Sequence, residues 1–286
     1  MSLALKPPVW DKTAMTAPSS RKLARVLIIA GSDSGGGAGI QADIKTVTML
    51  GGYAATAITA VTVQNTLGVT DVHPIPPGIV AAQARAVLAD IGADAIKTGM
   101  LGEIAVIEAV AEVLAETAAP AVIDPVMFAK GGAGLMAQGG LDVFRRLMVP
   151  GAALLTPNAP EAEALTGVEV SSLEGQRRAG EALLRAGVRA ALVKGGHLAG
   201  PRVVDLLVTP DGETTFEGPR LDTRHTHGTG CTLASACAVG LAQGLPLAEA
   251  VARAAAYTAE AIARAPGFGA GHGPLDHGWP VRDARP

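Results

Sequence analysis

The chain has 286 residues, 49% hydrophobic and 17% charged, with a formal net charge of -3. That is ample apolar material for a sizeable core. With no basic stripe and only 3% aromatics, it carries neither the electrostatic footprint nor the stacking platform of a nucleic-acid binder. No apolar run reaches the roughly eighteen residues of a membrane span. The first 25 residues, with Pro7, Pro8, Pro18 and a polar run from Ser19 to Lys22, lack the apolar stretch of a secretory signal. We read residues 1–25 as a loosely ordered extension and 26–280 as one domain.

From Val26 onward, short β-like runs alternate with longer amphipathic stretches. A compact apolar strand, Val26–Ala30, leads into a glycine cluster and a helix through Ile40, Ile44, Val47 and Leu50. Tyr53–Gln64, rich in Thr, Val and Ile, predicts a strand. A helix over Ile79–Leu88 precedes the strand Ala95–Lys97, and a helix over Ile104–Ala115 precedes the strand Ala121–Asp124. Then come a strand Ala153–Thr156, a helix near Glu161, a helix Leu173–Ala186 and a strand Ala190–Lys194. Val203–Val208 and Thr214–Glu217 predict a hairpin around Pro210-Asp211-Gly212. Two alanine-rich helices follow, Cys231–Gln243 and Leu247–Ala263, with Gly228 and Pro246 at their entries. Strands alternating with helices imply an α/β fold, a largely parallel sheet covered on both faces. Its site is then expected at the carboxyl ends of the strands.

Gly31-Ser32-Asp33-Ser34-Gly35-Gly36-Gly37-Ala38-Gly39 contains a G-x-G-x-x-A match, Gly37 to Ala42. The strand ends too far upstream for the tight dinucleotide turn, and no acidic residue lies between Ile44 and Thr70 to hold a ribose. A Rossmann dehydrogenase is therefore excluded, and a plain βα loop remains open. The second cluster, His225-Thr226-His227-Gly228-Thr229-Gly230-Cys231-Thr232, runs directly into an apolar helix. Amides at a helix N-terminus make an anion site, although a capped helix with a buried cysteine fits the same residues. No Walker A pattern occurs, so the chain is not a P-loop enzyme. The two cysteines, Cys231 and Cys237, lie six residues apart. On one helix that is about 9 Å between Cα atoms, beyond disulfide reach. The spacing is not that of a zinc pair either, and a reduced, cytoplasmic protein is the simpler reading.

Residues Ala30 to Asp43 together resemble the N-terminal signature of the hydroxymethylpyrimidine/phosphomethylpyrimidine kinases. Gly228-Thr229-Gly230-Cys231-Thr232 resembles the anion-hole loop of that family. Gln64-Asn65-Thr66, Lys97-Thr98-Gly99-Met100, Asp124-Pro125-Val126-Met127, Thr156-Pro157-Asn158 and Lys194-Gly195-Gly196-His197 occur between them in the family's order. The likeness runs from about Leu27 to His272. It implies a ribokinase-like three-layer sandwich, ATP as co-substrate, Mg²⁺, and commonly a homodimer. It also implies two successive phosphorylations, of 4-amino-5-hydroxymethyl-2-methylpyrimidine and of its monophosphate, in thiamine synthesis. A pyridoxal or pyridoxine kinase of the same fold is the nearest alternative. A non-catalytic nucleotide-binding protein is a more distant one.

Each candidate residue has a chemical reason. Phosphoryl transfer needs positioning, charge neutralisation and an acceptor for the attacking hydroxyl's proton. The amides of Gly228, Thr229, Gly230 and Cys231 would stabilise charge on the transferred group. Cys231, standing where many ribokinase-like enzymes carry aspartate, would be the general base if the helix terminus lowers its pKa. Asn158 and Glu161 form an N-x-x-E pair that resembles the superfamily's magnesium-associated motif; a capping box fits equally well on spacing alone. Asp124, at a strand end, could orient a metal-bound water. Lys194 and Thr229 fall on the ATP side by the resemblance. Gln64 could read a 4-aminopyrimidine edge, since a carboxamide offers a donor and an acceptor side by side. Asp43, Met100 and Val126 join the substrate pocket by matching motifs. His227 would shape the anion loop, with the other histidines structural.

Overall fold

The structure, a computed structural model, describes residues 23–127 and 135–283. Residues 1–22 of the expected extension lie outside the described residues. In chain order the first half comprises β1 (Arg25–Asp33), α1 (Gly39–Met49), β2 (Tyr53–Asn65), β3 (Gly68–Pro74), α2 (Pro77–Asp90), β4 (Ala95–Thr98), α3 (Ile104–Ala115) and β5 (Ala121–Ile123). The second half comprises α4 (Gly140–Leu147), β6 (Leu154–Leu155), α5 (Ala159–Thr166), α6 (Leu173–Arg185), β7 (Ala191–Val193), β8 (Arg202–Thr209), β9 (Gly212–Pro219), α7 (Thr229–Ala242), α8 (Leu247–Ala263) and α9 (Trp279–Asp283).

The strands form one sheet in the order β3-β2-β1-β4-β5-β6-β7-β8-β9. Strands β2, β1, β4, β5, β6 and β7 are parallel. Antiparallel β3 extends one edge, and the antiparallel β8–β9 hairpin extends the other. Alternation along the strands builds two cores. On β1, Leu27 and Ile29 face a cluster with Val80 of α2, Val106, Ile107 and Val110 of α3, and Phe144 of α4. Their neighbours Val26, Ile28 and Ala30 face the opposite layer, with Ile40 and Val47 of α1, Leu233 and Val239 of α7, and Val251 and Tyr257 of α8. Period-two side chains on a sheet buried on both sides thus give the expected helix–sheet–helix layering.

Three elements escaped the sequence pattern. Strand β3 is largely exposed, so it carries no hydrophobic alternation to betray it. Helix α4 has only eight residues, with Asp142 at its start and Arg145 and Arg146 at its end as the readable signals. Helix α9 has five residues. The hairpin, by contrast, turns at Thr209–Gly212 as the Pro-Asp-Gly sequence predicts.

Under the switch point, where chain order reverses between β1 and β4, lies a buried ion pair. Lys97 of β4 and Asp43 of α1 are both inaccessible, with Nζ 2.8 Å from Oδ2. Ser235 of α7 donates to the other carboxylate oxygen at 2.7 Å. Burial opposes the charge on Lys97, but Asp43, with help from the Cys231 and Asp124 side, outweighs it and lifts the lysine's pKa. Breaking a buried pair from one side strands a charge, at a cost of about 3–5 kcal/mol. Lys97→Met should lose about that much in urea unfolding, and adding Asp43→Leu should recover most of it.

Candidate active site

The carboxyl ends of the parallel strands bring the site together. β1 ends in the first glycine loop, β5 delivers Asp124, β6 delivers Thr156 and the start of α5, and β7 delivers Lys194. Beyond the strand ends, Asn158 and Lys194 are joined by a further parallel bridge.

Asp33 organises the first loop. Its Oδ1 accepts the Gly35 amide at 2.8 Å, and its Oδ2 accepts those of Gly37 and Ala38 at 3.1 and 2.8 Å. His227 Nε2 lies 2.8 Å from the same Oδ2. Burial alone would raise Asp33, yet the His227 hydrogen bond and the loop amides prevail and hold its carboxyl below the usual range. The two glycine clusters touch directly. Gly228 has φ +86°, and a Cβ there would collide with the Gly37 carbonyl oxygen. Only glycine combines that φ with that approach. Neither loop is a slack connection, and the plain-loop alternative falls.

Gly228 is the N-cap of α7, and no side chain caps the helix. Its first-turn amides therefore carry the helix's positive end into the site. Thr229 donates its hydroxyl to the Thr226 carbonyl at 2.8 Å. Gly230 allows close approach of the opposite wall: a Cβ there would stand 3.1 Å from Lys194 Nζ and 3.3 Å from Asp124 Oδ2.

That wall holds the three remaining charged candidates. Lys194 Nζ sits 3.1 Å from Asp124 Oδ1, both side chains largely buried. Burial works against the Lys194 charge, but Asp124 and Glu161 overcome it and raise its pKa. Glu161 is nearly inaccessible. Burial pushes it up to about 7, with Lys194 pulling against that rise and Asp124 adding to it. Asn158 and Glu161 form a full capping box, at 2.9 Å to the Glu161 amide and 2.8 Å back to the Asn158 amide. The capping alternative is thus realised, and it fixes Glu161 in place within the field of Lys194 and Asp124. Among the described residues no group of three or more His, Cys, Asp or Glu forms a metal cage. Two crowded, buried carboxylates do suit Mg²⁺, which takes one or two protein carboxylates and completes its shell with water and phosphate.

On the other side of the anion loop, Gln64 ends β2 within reach of His227 and Thr62. The Met100 methyl lies against Gly31, and the Met100 carbonyl accepts the Thr59 hydroxyl at 2.7 Å. Val126 follows β5 two residues beyond Asp124 and is partly exposed.

Two expectations need correction. Asp43 does not line an open pocket: its carboxylate is inaccessible and consumed by Lys97 and Ser235, so it braces the site from beneath. The pKa of Cys231 is not lowered either. Cys231 is partly exposed, yet the protein around its sulfur pushes the thiol up to about 11, with the Lys97 charge pulling the other way. The residues missed by sequence reasoning are Asp33, Lys97 and Ser235. Asp33 and Lys97 stood inside motifs without a role assigned to them, Asp33 as an acid set among glycines whose amides need an acceptor, and Ser235 left no signal.

The comparisons with known proteins follow the same line. A sequence model of the family described as phosphomethylpyrimidine kinase matches residues 33–276. A hydroxymethylpyrimidine/phosphomethylpyrimidine kinase of Streptomyces coelicolor is 51% identical over 267 residues, covering 93% of this chain and 98% of that one. The thiamine biosynthesis bifunctional protein ThiED of Geobacter sulfurreducens is also 51% identical, over 91% of this chain; the match spans 53% of that longer protein. Among solved structures, the pyridoxal kinase of Staphylococcus aureus in complex with ADP superposes with a TM-score of 0.84 at 35% identity, covering 90% of this chain and 94% of that one. The fold is thereby the ribokinase-like α/β sandwich that the motifs imply.

The raised thiol makes a direct prediction. Alkylation of Cys231 by iodoacetamide in the ligand-free protein should be about tenfold or more slower at pH 7.5 than for an ordinary thiol. Its rate should climb with pH towards about 11. Peptide mass spectrometry would separate it from Cys237, which is fully buried and pushed up to about 12. A rate plateau near pH 7 would instead reveal a thiolate already formed.

Proposed function

The chain belongs to the phosphomethylpyrimidine kinase family, and on that premise we propose that it transfers the γ-phosphoryl group of ATP to 4-amino-5-hydroxymethyl-2-methylpyrimidine and then to the resulting monophosphate, supplying the diphosphate for thiamine synthesis. The observation that carries this reading is the convergence of an uncapped helix N-terminus, Lys194 and Asp124 on one spot at the strand ends. Positioning and electrostatic stabilisation of that kind are what phosphoryl transfer asks of a protein.

In this reading the amides of Gly228, Thr229, Gly230 and Cys231 receive the charge that develops on the transferred group. Lys194 and Thr229 hold the nucleotide phosphates, and Asn158 lies beside them. Asp124 and Glu161 would hold Mg²⁺, which when bound neutralises phosphate charge. Gln64 reads the pyrimidine edge, with Met100 and Val126 against the ring. Cys231 accepts the hydroxyl proton. At neutral pH its basic form is scarce, about 10⁻⁴ of the population at pH 7 for a group near 11. It is a correspondingly strong base when it forms. The second acceptor is a phosphate oxygen, already ionised, and needs no base.

Pyridoxal is the competing substrate, supported by the likeness to the Staphylococcus enzyme. The identity of 51% to the pyrimidine kinase against 35% to the pyridoxal kinase favours the pyrimidine. A homodimer is supported by apolar side chains left exposed on the β2–β3 ribbon, Val61, Val63 and Leu67, which a second copy would cover. The free cysteines suit a cytoplasmic setting. Among the described residues no helix is long and apolar enough to cross a membrane. We take residues 26–280 as one kinase domain.

The test is ATP consumption with Mg²⁺, offering the hydroxymethylpyrimidine, its monophosphate and pyridoxal separately. Both pyrimidines should turn over, and pyridoxal should be the poorer substrate; preference for pyridoxal would overturn the assignment. Cys231→Ala should cost about 10²-fold or more in the first phosphorylation and leave the second within a few-fold. An equal loss in both steps would remove Cys231 from the proton-transfer role.

A further inference from the structure

The carboxamide of Gln64 sits between two polar neighbours whose own hydrogen bonds decide which way it faces. Its Nε2 is placed 3.2 Å from His227 Nε2, and its Oε1 3.1 Å from Thr62 Oγ1. His227 Nε2 also lies 2.8 Å from Asp33 Oδ2. An ionised carboxylate only accepts, so that ring nitrogen carries a hydrogen, in the neutral and the charged imidazole alike. The low pKa of Asp33 agrees with its being ionised. On the other side, the single hydroxyl hydrogen of Thr62 has the Ser32 carbonyl oxygen as an acceptor at 3.0 Å.

With its nitrogen towards His227, the amide sets donor against donor. Turned over about its last torsion, it exchanges two atoms of nearly equal size, and the His227 hydrogen, the Thr62 hydrogen and one of its own each find an acceptor. His227 Nε2–H then serves Asp33 and the Gln64 carbonyl, Gln64 donates to Thr62, and Thr62 donates to Ser32. We infer that His227 and Thr62 are positioning residues that fix the Gln64 carboxamide with its oxygen on the anion-loop side and its nitrogen on the Thr62 side, and thereby aim the substrate's hydroxymethyl group at the anion loop.

The second half of this inference rests on the reading of Gln64 as the ring contact. One lone pair and one N–H of the carboxamide remain for the ring. The oxygen takes the 4-amino hydrogen, and the N–H meets the ring nitrogen N3. The amino group then lies on the His227 side. Carbon 5, next to the amino-bearing carbon on the side away from N3, lies further in the same direction. His227 directly precedes Gly228, so the hydroxymethyl group on carbon 5 points to Gly228–Cys231, and the 2-methyl group points back towards Thr62. The opposite amide orientation would bind the same edge with the ring turned over and the hydroxyl directed away from the loop. The buried Asp33–His227 contact would therefore convert a symmetric-looking carboxamide into a one-way socket.

The experiment is nuclear Overhauser spectroscopy on the full, unmutated chain, with Thr methyl and Gln amide labelling. In the ligand-free protein the Gln64 side-chain NH₂ should show cross-peaks to the Thr62 methyl and none to the His227 ring protons. The reverse pattern would overturn the assigned orientation. With hydroxymethylpyrimidine bound, the Thr62 methyl should contact the 2-methyl protons; contact with the hydroxymethylene protons would overturn the aiming role. Gln64 side-chain resonances that do not move at saturating pyrimidine would overturn the aiming role together with the reading it rests on, while the amide orientation stands or falls on the ligand-free spectrum.

Discussion

The two glycine loops at the open end of the sheet are held together by one carboxylate. Asp33 accepts hydrogen bonds from three successive parts of its own loop and from His227, a residue 194 positions away. The loop after the first strand and the loop before α7 thereby become one body, pressed together until Gly37 and Gly228 leave no room for a side chain. The consequence is electrostatic as much as steric. Helices α1 and α7 both begin at this junction, and the Gly39 amide at the start of α1 reaches the Cys231 sulfur. Two positive helix ends therefore face one small volume. At α1 the Asp33 carboxylate accepts the N-cap amide, whereas α7 has no capping side chain to spend that field locally.

A second set of contacts keeps the two helices from separating under that field. Asp43 on α1, Ser235 on α7 and Lys97 on β4 meet out of contact with water. Ser235 follows Cys231 by one helical turn, so the hydrogen bond that registers α7 against α1 also sets the height of the thiol above the sheet. Gly99 makes the arrangement possible, because a Cβ there would come within 2.9 Å of Lys97 Nζ. A buried ion pair contributes little net stability. Its value here is register: two helices and a strand distant in sequence are held in a single relation.

How much of this was legible in the sequence depended on the range of the physics involved. Strands buried on both faces announce themselves by continuous apolar runs, and the glycine clusters by residues that only tight approach explains. Asn158 and Glu161 were readable because a capping box is local. The Lys97–Asp43–Ser235 set was not readable, since its members lie 54 and 192 residues apart and each alone looks like a common polar residue. The thiol was misjudged for a related reason. A helix N-terminus lowers a cysteine's pKa and is visible locally, whereas the packing that raises it is assembled from the whole fold. Strand β3 went unseen because exposure removes the alternation by which strands are found.

The charge inventory of the opposite wall bears on what the site admits. Asp124 and Glu161 share one lysine, so the wall facing the anion loop has one negative charge more than it neutralises whenever both acids are ionised. Burial is the first cause of the raised pKa of Glu161, and the Asp124 charge adds to it against the pull of Lys194. A helix terminus with a lysine beside it would, alone, welcome any phosphate. Two buried carboxylates that feel one another's charge would repel a bare polyanion. On the proposed reading, the loop and the wall would pull in opposite directions for a naked nucleotide and together for one that carries a cation. On the proposed reading, the ion pair between Lys194 and Asp124 would be the resting form of a site that exchanges it for phosphate and cation. Were phosphate oxygens to draw Lys194 away, Asp124 would be left needing a cation, and a nucleotide arriving with one would supply it.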